Sequence, residues 1–355
     1  MQDILTCAMG LDIHRDVIVA CLAKGELGTD PEIEIRSFST LIPEMRKLRD
    51  WVLEAECRYV AMESTGIYWQ PIYEMLEPCF DGQINILVVN ARHMKNVPGR
   101  KTDMRDAQWI ATLLRAGLLK GSFIPDKTFR ELRHLTRYRK SIVRDITAQK
   151  NRIDKFLQSS GFRFTAFLSD AFGASGRNII RHLMEYGNIS REALDRCLKT
   201  QTRKRIDEIL IALNGSLSEH QRGFLRMIFG HLEALEQHRH TVEDAITKEI
   251  TKHEEALSLL CSIPGIDVTA AAAIIAEIGT DMSAFPDSQH ICSWAGLSPG
   301  NNESAGKRKS AHINKGNPYL KSMLCEVGWV ISGKRSLYLS GWYWLSLIHI
   351  SEPTR

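Results

Sequence analysis

Ala8-Met-Gly-Leu-Asp12-Ile-His-Arg-Asp-Val-Ile-Val-Ala-Cys-Leu22 is the stretch that decides how this chain begins to fold. Apolar residues flank the short polar break His14-Arg15-Asp16, which predicts two strands joined by a tight turn. Glu32 to Phe38 alternates apolar and polar residues and adds a third strand, so the chain opens as an antiparallel meander. Beyond it the period of the pattern changes. A helix is expected around Ile42 to Ala55, then a short apolar strand at Tyr59 to Met62 and a helix from about Tyr68 to Leu76. A buried strand follows at Ile84 to Val89, and a helical pattern runs from Thr102 through Ala116.

Three strands followed by alternating helix and strand is the element order of a ribonuclease H-like α/β fold. Four acids stand out on it. Asp12 interrupts the apolar run of the first strand, where a carboxylate carries a large desolvation cost unless it is paired or bound to a metal. Glu63 closes the strand Tyr59 to Met62, and carboxylates at the ends of neighbouring strands converge on one edge of a sheet. Asp103 and Asp106 lie one helical turn apart and project from one face. Oxygen donors from three chain regions are what one or two Mg²⁺ ions require, the cation keeping waters and completing its shell with substrate phosphate. Taken singly the acids have plainer readings, Asp103 as a helix cap beside Thr102 and Glu63 as a loop carboxylate.

The formal net charge of +4 conceals an uneven distribution. Between Lys127 and Lys155 the bases include Arg130, Arg133, Arg137, Arg139, Lys140 and Arg144, with apolar residues at helical spacing between them, so one face can pack while the other meets phosphates. Leu225, Ile228, Leu232, Leu235, Val242, Ile246 and Ile250 form a second seam close to a heptad. The two read as limbs of a coiled-coil arm, with residues 162–214 as a helical insert. Either dimerisation through the seam or an intramolecular hairpin satisfies it. Ile263-Pro-Gly-Ile266, between a hydrophobic helix end and an Ala-rich helix, has a helix-hairpin-helix pattern, in which backbone N–H groups near Gly265 can hold a DNA phosphate. A tight corner using Gly265 for a positive φ is the plainer reading. Finally, the Gly/Asn/Ser-rich run Ala295 to Ser310 leads into Lys307, Arg308, Lys309 and Lys315. A serine there can attack a phosphodiester if its proton is removed and the developing charge is offset. Chemistry alone leaves Ser298, Ser304 and Ser310 open.

The chain has 355 residues, 44% apolar and 25% charged, enough for more than one core. Its eight cysteines lack any C-x-x-C pair and read as reduced thiols of a cytoplasmic protein. No secretory leader or run of about 18 uncharged apolar residues is seen, so no membrane partner is expected.

Gly10-Leu-Asp12, Met62-Glu63-Ser-Thr-Gly-Ile-Tyr68, Lys101-Thr-Asp103-Met-Arg-Asp106-Ala107, Ile263-Pro-Gly-Ile266 and Trp294-Ala-Gly-Leu-Ser-Pro-Gly-Asn-Asn-Glu-Ser304-Ala-Gly-Lys-Arg308 together resemble the DEDD transposases of the insertion sequence 110 family. The resemblance runs from about residue 8 to about 344, with the motifs in the family's order. It implies a RuvC-like domain over 1–120 whose Asp12, Glu63, Asp103 and Asp106 bind Mg²⁺, a basic coiled-coil connector over 121–255, and a mainly helical transposase domain over 256–344. It also singles out Ser304 as the nucleophile of a recombinase that forms a covalent phosphoserine with DNA. Its implied partners are donor and target DNA, a guide RNA encoded by the element, and further copies of the chain as a dimer or tetramer, in a prokaryotic cytoplasm. Residues 345–355 resemble the translated frame of a sequencing-library adapter, which sets the expected natural sequence to end near Trp344 and leaves the last domain incomplete. Competing readings are a Holliday-junction resolvase or nuclease acting with water, an actin-like ATPase or sugar kinase, and an architectural DNA-binding protein.

Overall fold

Strand periodicity assigns the residues of β1 (Cys7–Ile13) to two faces. Met9, Leu11 and Ile13 point into one apolar cluster, while Ala8, Gly10 and Asp12 lie on the other face. β1 pairs antiparallel with β2 (Val17–Lys24), and β2 with β3 (Glu32–Ser39), the meander expected from the sequence. After α1 (Ile42–Glu54) come β4 (Tyr59–Glu63), α2 (Gln70–Leu76), β5 (Asn85–Val89) and α3 (Asp106–Arg115). β4 runs parallel to β1 and β5 parallel to β4, giving one mixed sheet in the order β3-β2-β1-β4-β5. This computed structural model describes residues 3–64, 66–90, 106–298, 302–304, 307–310, 313 and 315–351. The helical pattern expected at residues 102–105 lies outside them.

The two faces of the sheet are covered differently. α1 buries Met45, Leu48, Trp51 and Val52, at the spacing of an amphipathic helix, against the Met9, Leu11 and Ile13 face. The other face carries Ala8, Gly10, Ala61 and Ala23 and receives α3 through Ala107, Ile110, Ala111 and Leu114. At Gly10 an added Cβ would stand 2.2 Å from the Ala107 carbonyl oxygen and 2.4 Å from the Ala111 nitrogen, so the helix backbone lies directly on the strand. Arg115 ends α3 with its side chain 1% exposed. It donates to the carbonyls of Leu5 at 3.0 Å and Glu26 at 2.7 Å and pairs with Asp3 at 3.4 Å, which clamps the helix to the sheet's entry strand.

Contacts divide the chain into Met1–Ile124 and Pro125–Arg355. The second unit is built on α4 (Lys127–Ser159), followed by four shorter helices, α5 (Ala174–Tyr186), α6 (Arg191–Cys197), α7 (Thr200–Arg203) and α8 (Ile206–Ala212). α9 (Glu219–Ile250) then returns along α4. Gln149 donates to the Ile228 carbonyl while Arg139 pairs with Glu243, so the two long helices are antiparallel within one chain. The seam read from the sequence is their interface: Leu225, Ile228, Leu232, Val242, Ile246 and Ile250 are buried with Ile142, Ile146 and Ile153. Ser218 opens α9 with a reciprocal capping box to Gln221.

α10 (Glu254–Cys261), α11 (Val268–Ile278), α12 (Ser288–Ala295), α13 (Pro318–Gly333) and α14 (Tyr338–Ser351) complete the unit. A boundary was expected at 255/256, yet Ala272, Ile275 and Ala276 of α11 share the core of α4 and α9. The small side chains of α11 let its backbone approach α4 closely, and one packed core spans both segments. Among the described residues, no helix is long and apolar enough to cross a membrane.

Candidate functional site

The parallel register pairs Leu11 with Met62, so the next residues, Asp12 and Glu63, stand side by side where β1 and β4 end. Both belong to the face that α3 covers, because Gly10 and Ala61 precede them by two residues. Asp106 is the first residue of α3, which the Gly10 contact lays against the same strand. The carboxyl of Asp12 is pushed above its usual range, first by burial, and further by the negative charges of Asp106 and Glu63. The imidazole of His14, 3.3 Å away, acts in the opposite sense. Two of the other expected acids, Glu63 and Asp106, are thus within electrostatic reach of Asp12. Asp103 lies outside the described residues.

No group of three His, Cys, Asp or Glu side chains among the described residues is close enough to cage a metal ion. The donor types nevertheless suit a hard divalent cation: carboxylate oxygens at one sheet edge, with burial first and then the charges of Asp106 and Glu63 raising the proton affinity of Asp12. His14 was read from the sequence only as a turn residue. A ring one strand-end away from a buried carboxylate was the available signal.

The basic stripe of α4 is divided between internal and outward roles. Arg130 is buried and donates to the Pro125 carbonyl at 3.0 Å. Arg133 donates to the Ala276 carbonyl at 2.8 Å and pairs with Glu277 at 3.2 Å, and burial lowers its pKa to about 10. Arg137 holds the same carboxylate through two bonds of 2.8 and 2.9 Å, and Arg139 holds Glu243. Lys140, half-buried, and Arg144, exposed, line a cleft of about 340 Å³ together with Arg137, Arg139, Tyr319 and Glu326. The sequence displayed the charge of the stripe but not its pairing with Glu277, which depends on how α11 packs.

At the corner between α10 and α11, Gly265 has φ +92°, as the plainer reading requires. Its Cα faces α13, where a Cβ would meet Ile331 at 3.3 Å and Val330 at 3.4 Å. Asp267 caps α11 by accepting from Ala270 N–H at 2.7 Å, so one amide of this helix start is served by the chain's own carboxylate.

The Gly/Asn/Ser-rich run forms a short antiparallel hairpin, β6 (Asn302–Ser304) and β7 (Lys307–Ser310). Ser304 pairs with Lys307 and Glu303 with Arg308, with an irregularity between Asn302 and Glu303. The backbone register therefore sets Ser304 opposite Lys307, the first lysine of the cluster. Ser298 lies half-buried before the hairpin, Ser310 ends β7, and Lys315 is exposed on the return to α13.

A family model described as a transposase matches residues 9–161, and one described as the transposase family of IS116, IS110 and IS902 matches residues 257–341. The Sinorhizobium fredii protein y4qE, whose name proposes a transposase, is 23% identical over 247 residues, covering 67% of this chain and 51% of its own length. An uncharacterized 43.6 kDa protein of insertion element IS110 from Streptomyces coelicolor is 28% identical over 239 residues, covering 62% of this chain and 58% of its own. The chain spans about half the length of these curated relatives.

Proposed function

Because this chain belongs to the IS116/IS110/IS902 family of transposases, we propose that it cuts and rejoins DNA for an insertion sequence, using Ser304 as nucleophile and the carboxylate edge as a divalent-cation site. The observation that carries the reading is the convergence of Asp12, Glu63 and Asp106 on one edge of a mixed sheet whose strand order suits a ribonuclease H-like, RuvC-like domain. With Asp103, these acids would hold Mg²⁺, which when bound stabilises the charge that develops on the phosphate. Ser304 supplies the attacking oxygen. A P–O bond forms to its Oγ as the P–O bond to one sugar oxygen breaks, the serine proton passes to a base, and the departing oxygen takes up a proton. The phosphoserine conserves the bond for rejoining, so no other energy source is needed. Lys307, Arg308, Lys309 and Lys315 follow the serine closely in sequence, and Lys140 and Arg144 offer charge to the backbone of DNA or RNA at the cleft. Guidance by an element-encoded RNA, phosphate contact at Gly265, and assembly of two or four copies are proposed from the family resemblance.

The test uses a labelled duplex spanning the joined ends of the element, RNA transcribed from its noncoding flank, and Mg²⁺. A protein–DNA adduct that survives denaturation is expected, and Ser304→Ala should abolish it while leaving DNA affinity intact. Strand cleavage that persists in Ser304→Ala without an adduct would make the enzyme a hydrolytic nuclease of the resolvase kind.

A further inference from the structure

The segment bearing the β6–β7 hairpin leaves α12 and returns to α13 through a closed neck. Leu297 N–H donates to the Cys292 carbonyl, and Asn317 N–H to the Trp294 carbonyl, each at 2.8 Å. At Gly316 a Cβ would stand 2.2 Å from the Gly296 nitrogen and 2.5 Å from the Trp294 oxygen, so the two feet touch backbone to backbone.

Asn317 sits at this neck and makes two kinds of bond. Its Oδ1 accepts from Tyr319 and Leu320 N–H at 3.0 and 3.1 Å, which caps α13. Its Nδ2 donates to Glu277 Oε2 at 2.6 Å. Glu277 is 2% exposed and holds Arg133 and Arg137 of α4 on its carboxylate. Those arginines reach both feet: Arg133 lies over the Trp294 ring at 5.8 Å and Arg137 over the Tyr319 ring at 4.3 Å. A buried acid bound by two arginines needs no further donor for its charge. The amide from Asn317 adds direction, joining the base of the hairpin to the long arm helix.

We infer that Glu277 and Asn317 are positioning residues for the β6–β7 strand pair, and that the bond between them sets the base from which Ser304 is presented. The effect on reaction rate rests on the reading of Ser304 as nucleophile; the anchoring of the hairpin does not.

The test compares Asn317→Ser and Asn317→Asp with the full-length wild-type chain. Both replacements keep an oxygen to cap α13. Serine loses the bond to Glu277, and aspartate sets a second carboxylate against it. Amide hydrogen exchange over residues 302–310 should quicken about tenfold in Asn317→Ser and more in Asn317→Asp, with exchange over residues 318–333 unchanged. Adduct formation should slow in the same order while DNA affinity stays constant. Wild-type hairpin exchange in both variants would overturn the inference and leave Asn317 as a cap alone. If the wild-type chain forms no adduct, the nucleophile reading fails, and the ranking of hairpin exchange still decides the positioning role.

Discussion

The two units of this protein treat charge near their cores in opposite ways. In the first, the like charges of Asp12, Glu63 and Asp106 meet at the end of a sheet; burial first, and then the charges of Asp106 and Glu63, raise the proton affinity of Asp12 against the pull of His14. In the second, Glu277 lies deeper, yet Arg133, Arg137 and Asn317 satisfy it. Burial therefore does not mark function by itself. Like charges that a fold gathers at one edge point to a bound partner, and a charge that arginines enclose points to architecture.

The largest effect should come from breaking the compensated side. Glu277→Ala leaves two arginines facing a cavity, and should cost the second unit about 3–5 kcal/mol, read by urea unfolding. A loss below about 1 kcal/mol would mean that the arginines find water or other acids. Next is the packing that gathers the acidic edge of the first unit. Gly10→Ala forces a methyl into the backbone of α3, and should cost the first unit about 2–3 kcal/mol. Because α3 carries Asp106, the same variant should lower Mg²⁺ affinity measured by calorimetry. An alanine accommodated without loss of either would show that the helix can slide away from β1. The smallest change in stability has the opposite sign. Asp12→Asn removes a partly buried charge that Asp106 and Glu63 repel and His14 attracts, and should gain up to about 1 kcal/mol while strand cleavage falls about a hundredfold or more. A destabilised Asp12→Asn would place Asp12 with Glu277, as a charge the fold relies on.

Sequence reading reached the first unit further than the second. The three meander strands, the later strand at Tyr59 to Met62 and the placing of Asp12 and Glu63 near strand ends follow from a period of two and from where each strand stops. Asp106 was reached through the same logic on a helix. Gly10 and Arg115, which hold that helix in place, act on residues far away in the chain, and nothing local distinguishes them. In the second unit the seam of α9 was legible as a heptad, and its intramolecular pairing was one of two solutions the seam allowed. The stripe from Arg130 to Arg144 shows the limit most clearly: cations at helical spacing look alike whether they face solvent or a buried glutamate. A signal for Glu277 did exist. It is an acid in the last turn of Val268-Thr-Ala-Ala-Ala-Ala-Ile-Ile-Ala-Glu-Ile278, an otherwise apolar helix, and the desolvation argument that singled out Asp12 applies to it equally.

The touching feet at Gly296 and Gly316 have a consequence for how such a protein can change. When two helices are already joined at a pinch point, the chain between the feet contributes little to holding them together, and its length adds only slowly to the entropic cost of closure. Changes of length between the feet should therefore leave α12 and α13 where they are, provided that the frame still delivers Ser304.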